Sequence, residues 1–412
     1  MNRERNNLDR PAPVQAAERI SEIDIVRGIA LFGILMVNMA FYKYPVYVVR
    51  TPTEYAAGAE QLGAWLIQLF FTGNFYAIFS FLFGLGFYIF MDRTLKKGFE
   101  LAPLYRRRLF GLMFFGLVHL LLFWSGDILF TYSLGGFFLL MFRNKSLVSI
   151  RRWIIGLFIF SLLLYSLFEF LNRISEVFMP EEYDAIIGQL IAAGMVAYRE
   201  YGFLELAAFR IMVEVPYVAI SLVAWIPAVL GFFLCGLYVG KLKVFENLPA
   251  HRNLLLKARN AGLTVGLVLL LCYVVVEIGL VTLPYLTHHI LLSALNYAAS
   301  IFLFPAYIAL ILLAVQGGGF CSKFLAPVAY AGRMALTNYL SQTLICVFLF
   351  YGFGLGFYAR VSVINGILIT LAIFLVQVAW SNIWLRHFKY GPMEWVWRIL
   401  TYKRLQPLKI RD

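Results

Sequence analysis

An ionisable side chain inside a bilayer is costly, so each one found within an apolar run is a candidate for chemistry. The richest group in this sequence runs through Arg106-Arg107-Arg108, His119 and Trp124-Ser125-Gly126-Asp127. Eleven residues separate Arg108 from His119. At 100° per residue that is three turns plus about 20°, which puts both on one helix face, roughly 16 Å apart along the axis. Such a face offers a phosphate grip at one end and a titratable imidazole deeper in. Asp127 follows the two-residue turn Ser125-Gly126, which brings it near the level of His119. A carboxylate that holds an imidazole in one tautomer makes a general base. The plainer alternative is an N-cap aspartate beside a histidine bonded to a backbone carbonyl.

Other candidates are more scattered. In Glu22-Ile23-Asp24-Ile25-Val26-Arg27-Gly28, Asp24 and Arg27 stand three apart, on one helix face. They form either a salt bridge at a helix start or a vestibule in which Arg27 meets an anionic ligand. Asn38, later in the same run, is a candidate lining residue. Behind Gly332-Arg333, the side chains of Thr337, Asn338, Ser341 and Gln342 make a polar stripe. Such a stripe either glues helices together in lipid or lines a substrate cavity. In Gly391-Pro392-Met393-Glu394-Trp395-Val396-Trp397-Arg398, Glu394 and Arg398 are an i,i+4 pair on a Trp-anchored interfacial helix. Glu277 either lines a pore or reaches the outer interface, and His288 and His289 read as solvated loop residues. Cys235, Cys272, Cys321 and Cys346 are widely spaced, so they read as small buried hydrophobes, and no metal site is expected.

The elements that position these groups follow from composition. The chain has 412 residues, 62% of them hydrophobic and 14% charged, with a mean hydropathy of +0.79. A soluble protein cannot hide that much apolar surface, which excludes a cytosolic enzyme, a secreted disulfide scaffold and a disordered tail. At about 20 apolar residues per crossing, the expected spans are 23–42, 74–91, 105–124, 127–143, 153–172, 216–240, 261–282, 289–315, 328–350 and 362–386. The expected fold is thus an all-α polytopic membrane protein, a single bundle of about ten helices over 23–386. The first apolar run lacks a small-x-small cleavage site, so it is expected to be retained. Basic residues set the orientation. With both termini cytoplasmic, 29 of the 35 Lys and Arg lie inside and 6 outside. The net charge of +13 then needs no nucleic acid. On this reading residues 1–22 are a cytoplasmic tail, 387–412 a cytoplasmic interfacial helix and tail, and 43–73 and 173–215 are outer segments.

No GxxxxGK[ST], HExxH or GxSxG pattern occurs, which disfavours ATP-driven pumping and the common hydrolase chemistries. Phe83-Gly84-Leu85-Gly86-Phe87-Tyr88 recurs as Phe353-Gly354-Leu355-Gly356-Phe357-Tyr358. Inverted repeats mark transporters, but a chain with 39 Phe and 32 Gly also produces such echoes by composition.

Three blocks together carry a resemblance: Ser21-Glu22-Ile23-Asp24-Ile25-Val26-Arg27-Gly28; Gly116-Leu117-Val118-His119 through Gly126-Asp127-Ile128-Leu129; and Gly332 to Tyr339 with Gly391-Pro392-Met393-Glu394-Trp395. Over nearly the whole chain it resembles the YeiB-like family of bacterial inner-membrane proteins. That family looks like a branch of the transmembrane acyltransferases, which include membrane O-acetyltransferases of bacterial glycans and the lysosomal heparan glucosaminide N-acetyltransferase. The resemblance implies a ten-helix core in the bacterial inner membrane that takes acetyl-CoA or another acyl-CoA from the cytoplasm and acylates an acceptor across the membrane. The Arg108-to-His119 spacing is similar to a basic-x10-His pattern of the O-acetyltransferase branch. One departure is the absence of a histidine in or just after the first span, where relatives carry a catalytic one; His119 is left as the candidate.

The expected activity is therefore acyl transfer to a hydroxyl or amine of a glycan, lipid or small molecule. Arg27, Arg107, Arg108 and Arg333 would hold the acyl-CoA, His119 and Asp127 would supply the base, and Asn338 would face the oxyanion. Asp24, Asn38, Thr337, Ser341, Glu394 and Arg398 would line the substrate path. A secondary transporter of a small or anionic solute is the alternative, and a homo-oligomer is left open.

Overall fold

The computed structural model describes residues 19–410 apart from 47, 49, 50 and 56. Among these the chain is helical throughout, with no strand beyond an isolated bridge between Phe388 and Lys409. Helix α1 (Ser21–Lys43) carries Glu22 and Asp24 in its first turn, where carboxylates oppose the helix dipole. After it come α2 (Ala59–Phe70), α3 (Asn74–Lys96) and α4 (Leu101–Val118), which continues as a π turn over His119–Phe123. Helices α5 (Leu129–Leu139), α6 (Leu147–Phe178), α7 (Pro180–Glu200) and α8 (Phe203–Phe209) follow, and a second π turn, Arg210–Glu214, leads into α9 (Val215–Lys241). The remainder is α10 (Arg252–Glu277), α11 (Tyr285–Gln316), α12 (Gly319–Leu325), α13 (Val328–Arg333), α14 (Ala335–Phe350), α15 (Val363–His387) and α16 (Pro392–Tyr402).

All ten expected spans coincide with helix, but among the described residues seven stretches can cross a membrane by length and composition: Ser21–Lys43, Ala59–Lys96, Leu147–Phe178, Phe203–Lys241, Pro249–Glu277, Tyr285–Gln316 and Val363–His387. The other three rest on α4, which contains Arg106, Arg107 and Arg108, on the short α5, and on α14. These three line the interior cavities described below, where protein rather than lipid surrounds much of their surface. The span expected at 328–350 is broken at Met334 between α13 and α14. The sequence echo is not a structural repeat: 83–88 lies within α3, whereas 353–358 is a run of turns.

Small residues bring the backbones together. A Cβ on Gly84 would collide with the carbonyl of Phe233, and one on Gly236 with that of Phe81, so α3 and α9 cross in the close manner that glycines permit in membranes. Gly28 against Val328 and Gly332 against Asp24 do the same for α1 and α13, which fixes the arginines of both helices at one end of the bundle. The segment 173–215, expected on the outer side, is more than a solvated connection. Tyr198 stacks on Tyr358 at 4.8 Å, and the buried Ala197 and Leu206 join the cluster around Phe350 and Tyr351.

Candidate functional site

Two cavities enter the bundle from opposite ends. The first, of about 330 Å³, opens where α1, α4 and α14 begin and α3 and α13 end. Its lining holds Arg19, Arg27, Arg93, Lys97, Arg108, Arg333 and Arg398, against the carboxylates of Asp24 and Glu394. Deeper in, the walls are Phe79, Phe83, Leu112, Leu129, Tyr132 and Tyr339. Arg108 lies flat on the indole of Trp397, 3.8 Å from the ring centre, while Trp397 Nε1 donates to the Arg108 carbonyl at 2.8 Å. Arg398 lies 4.3 Å over Tyr390, and Arg333 5.4 Å over Tyr330 with its Nε unpartnered. Arg27 donates to Asp24 at 2.8 Å, and Arg19 reaches the same carboxylate at 3.6 Å. Burial pulls the Arg19 guanidinium down to about 10; Asp24 opposes this, while Arg333, Arg398 and Arg27 add to it. So many cations crowded together favour a polyanion. Arg107 does not belong to this group. It is exposed and outside the cavity lining, because one residue's step of 100° turns it away from Arg108.

Glu394 serves the cavity wall differently from the i,i+4 pairing expected of it. Its carboxylate accepts from Leu336 N at 2.7 Å, Thr337 N at 3.1 Å and Thr337 Oγ1 at 2.6 Å. It caps α14 from a distant helix, and Arg398 turns to Tyr390 instead. Burial lifts the carboxyl above the ordinary 4.5, outweighing the Thr337 and Leu336 donors that pull it down. A native carboxyl raised in this way favours folding fully below its unfolded value, and that advantage is lost as pH rises through the native one. Glu394→Gln keeps the acceptor and is expected to flatten this pH dependence in unfolding titrations between pH 4.5 and 7.5. Glu394→Ala, which strands the donors, is expected to cost about 2 kcal/mol.

The dyad adjoins the second cavity, which Asp127 lines. His119 Nδ1 and Asp127 Oδ1 are 2.8 Å apart, with the histidine 2% exposed and the aspartate side chain fully enclosed. Asp127 Oδ2 accepts from Phe130 N at 2.6 Å, so the aspartate both caps α5 and holds the imidazole. His119 Nε2 lies 2.8 Å from Thr343 Oγ1, which is 2.6 Å from Tyr42 Oη. With an ionised Asp127, Nδ1 carries the proton and Nε2 accepts from Thr343. Tyr339 covers the imidazole, its ring centre 5.3 Å away. The π turn that starts at His119 frees backbone carbonyls, and the fully buried Arg210 donates to those of Leu122, at 2.6 Å, and Phe123.

The polar stripe is mostly glue. Asn338 Nδ2 donates to Ala331 O and Ser381 Oγ, each at 3.0 Å. Both amide protons are thereby used, so Asn338 has no donor for an oxyanion and the assignment of that role is corrected. Ser341 donates to Asn338 O and accepts from Gln377 Nε2, and Gln342 pairs with Gln377 at 2.9 Å, which ties α14 to α15. Thr337 belongs to the Glu394 cap. Glu277 accepts from Thr53 Oγ1 at 2.7 Å. Asn38 and His289 line the second cavity.

That second cavity, of about 670 Å³, lies at the other end, among the end of α1 and the starts of α3, α9 and α11. It shares Ile34, Ile128 and Tyr339 with the first, so these three side chains form the septum. His119 lines neither cavity.

Comparison with known proteins places this arrangement in a family. The model described as a protein of unknown function (DUF418) matches residues 239–404. Uncharacterized protein YxaH of Bacillus subtilis (strain 168) is 32% identical over 412 residues, covering 96% of this chain and 97% of its own. The chain belongs to the DUF418 family. An uncharacterized 39.9 kDa protein in the amylase 3′ region of Bacillus acidopullulyticus is 30% identical over 400 residues, covering 97% of this chain and 98% of its own. Uncharacterized protein YeiB of Escherichia coli (strain K12) is 29% identical over 417 residues, covering 95% and 98%. The matched DUF418 region includes Arg333, Tyr339, Thr343, Glu394 and Arg398 but not Arg108, His119 or Asp127, so the site is assembled from both parts of this multi-pass membrane protein. Sequence reasoning missed Tyr42, Thr343 and Tyr339, which no local pattern distinguishes. It also missed Arg210, for which a signal existed: a lone arginine in the long apolar stretch Phe203–Lys241.

Proposed function

We propose that this protein is an acyl-CoA-dependent acyltransferase of the bacterial inner membrane, with its basic end in the cytoplasm. The observation that carries this reading is the pair of cavities meeting at Tyr339, one with a cationic mouth and an aromatic, aliphatic depth. A polyphosphate head fits the mouth and a slender thioester arm fits the depth. The acceptor enters the other cavity. Tyr339 covers His119 and lines both cavities, so its movement joins donor, acceptor and imidazole. The acceptor heteroatom attacks the thioester carbonyl as His119 Nε2 takes its proton. The C–S bond then breaks, and the leaving sulfur takes the proton from the imidazolium that Asp127 stabilises. Thr343 Oγ1, 2.8 Å from Nε2, stands where the acceptor's hydrogen bond would form.

The test is titration of purified protein in nanodiscs with acetyl-CoA. Saturable binding is expected, weakened about 10- to 100-fold by Arg108→Ala, the effect of losing a charge-assisted contact, and weakened further by salt. A folded sample that binds no acyl-CoA sinks this reading. One observation favours carriage of a small anion instead: the helix break at Met334 beside the cationic residue Arg333, since interrupted helices recur in transporters. Uptake of a labelled anion into proteoliposomes, with no acyl-CoA binding, would establish that alternative.

A further inference from the structure

We propose that the outer cavity is a binding site for an organic ammonium ion. Four formally charged residues line it: Asp127, Glu169, Glu214 and Arg173. Three are committed. Asp127 is held by His119 and Phe130 N, and Arg173 binds Glu169 at 2.9 Å and, beyond the lining, Glu176 at 3.1 Å. Glu214 differs. It is 3% exposed, its Oε1 accepts from Tyr198 Oη at 2.8 Å, the Ser125 hydroxyl lies close, and Oε2 has no hydrogen-bond partner. Arg210, one turn earlier, does not line the cavity and gives both terminal nitrogens to the Leu122 and Phe123 carbonyls.

A buried carboxylate oxygen without a partner is expensive unless a ligand completes it. The groups around it indicate which ligand. Tyr76, Trp124, Tyr165, Tyr198, Tyr217 and Trp225 all line the same cavity. The Trp225 ring stands edge-on to Tyr76 at 5.2 Å and to Tyr165 at 6.1 Å. Ring faces attract cations, most strongly where water is excluded. Carboxylates outnumber the single arginine in the lining, so the field has the same sign. A neutral sugar would find the rings and hydroxyls but would bring no cation to Oε2, which the nearby Arg210 leaves without a hydrogen bond because its terminal nitrogens are turned to the Leu122 and Phe123 carbonyls. In the acyl-transfer reading this ligand is the acceptor, an amine that sheds a proton before it attacks. That role rests on the proposed function, whereas the binding does not.

The experiment is therefore done without acyl-CoA. Protein in nanodiscs is titrated by calorimetry with choline, with its neutral isostere 3,3-dimethylbutan-1-ol and with methyl glucoside, against empty nanodiscs. Choline is expected to bind at least about 10-fold tighter than the isostere, and Glu214→Gln is expected to erase that preference. Should Glu214→Gln fail to fold, Trp225→Leu removes one wall of rings without burying a polar group and is expected to weaken choline about fivefold and the isostere hardly at all. Equal affinity for choline and the isostere, tighter binding of the glucoside, or a choline preference that survives in the folded variants overturns the proposal.

Discussion

His119→Gln is expected to lower acyl transfer by about 10³-fold, within the range for loss of a positioned general base, while leaving acetyl-CoA affinity within about twofold. The two effects separate because of where the groups lie. His119 lines neither cavity, and in the proposed function the donor's phosphates would sit at the mouth with Arg108, Arg27 and Arg333. Glutamine keeps an amide that can bond Asp127 and Thr343, so the buried chain from Asp127 to Tyr42 stays largely satisfied, but it cannot accept and return a proton at neutral pH. Single-turnover assays with labelled acetyl-CoA, once an acceptor is in hand, measure the loss. Full transfer activity in His119→Gln would remove the imidazole from the mechanism. Loss of acetyl-CoA binding would show instead that the imidazole shapes the donor site.

Arg210→Met should lower stability by about 3–5 kcal/mol, the scale for removing one partner from a buried charged network. Methionine fills much of the volume but leaves the Leu122 and Phe123 carbonyls without their donor, and unsatisfied backbone groups are dear where water is absent. Glu214, one turn later, loses a nearby positive charge as well. The π turn that begins at His119 is the element at stake, so acyl transfer should fall together with stability. Equilibrium unfolding in mixed micelles measures the first effect. A change below about 1 kcal/mol would mean that the guanidinium is replaceable by water.

Much of this was readable along the chain. Apolar runs near the length of a bilayer crossing announced the all-α membrane class, since no soluble packing absorbs 62% hydrophobic residues. Helical periodicity put Arg108 and His119 on one face, and the two-residue turn after Trp124 put Asp127 within reach. The second holds in the structure, where His119 Nδ1 and Asp127 Oδ1 lie 2.8 Å apart, because it depends on neighbours a few residues apart. Arg107 and Asn338 show the limit. Whether a side chain points into a cavity or toward lipid, and whether an amide is already used, depends on which helices pack around it, as Ser381 of α15 does for Asn338.

The sequence by itself determined the membrane class, the run of helices and the nearness of Asp127 to the level of His119, because hydropathy and helical geometry are local, whereas the bond between the two side chains is decided by the structure. The tertiary structure alone decided that Glu394 caps α14, that Thr343 and Tyr42 extend the dyad, that Arg210 secures its π turn and that Tyr339 parts two cavities. Each of these depends on hydrogen bonds or packing between distant segments, whose register is set by close backbone crossings at Gly28, Gly84, Gly236 and Gly332. Those crossings are selected by the whole bundle's packing, and no stretch of the chain encodes them alone.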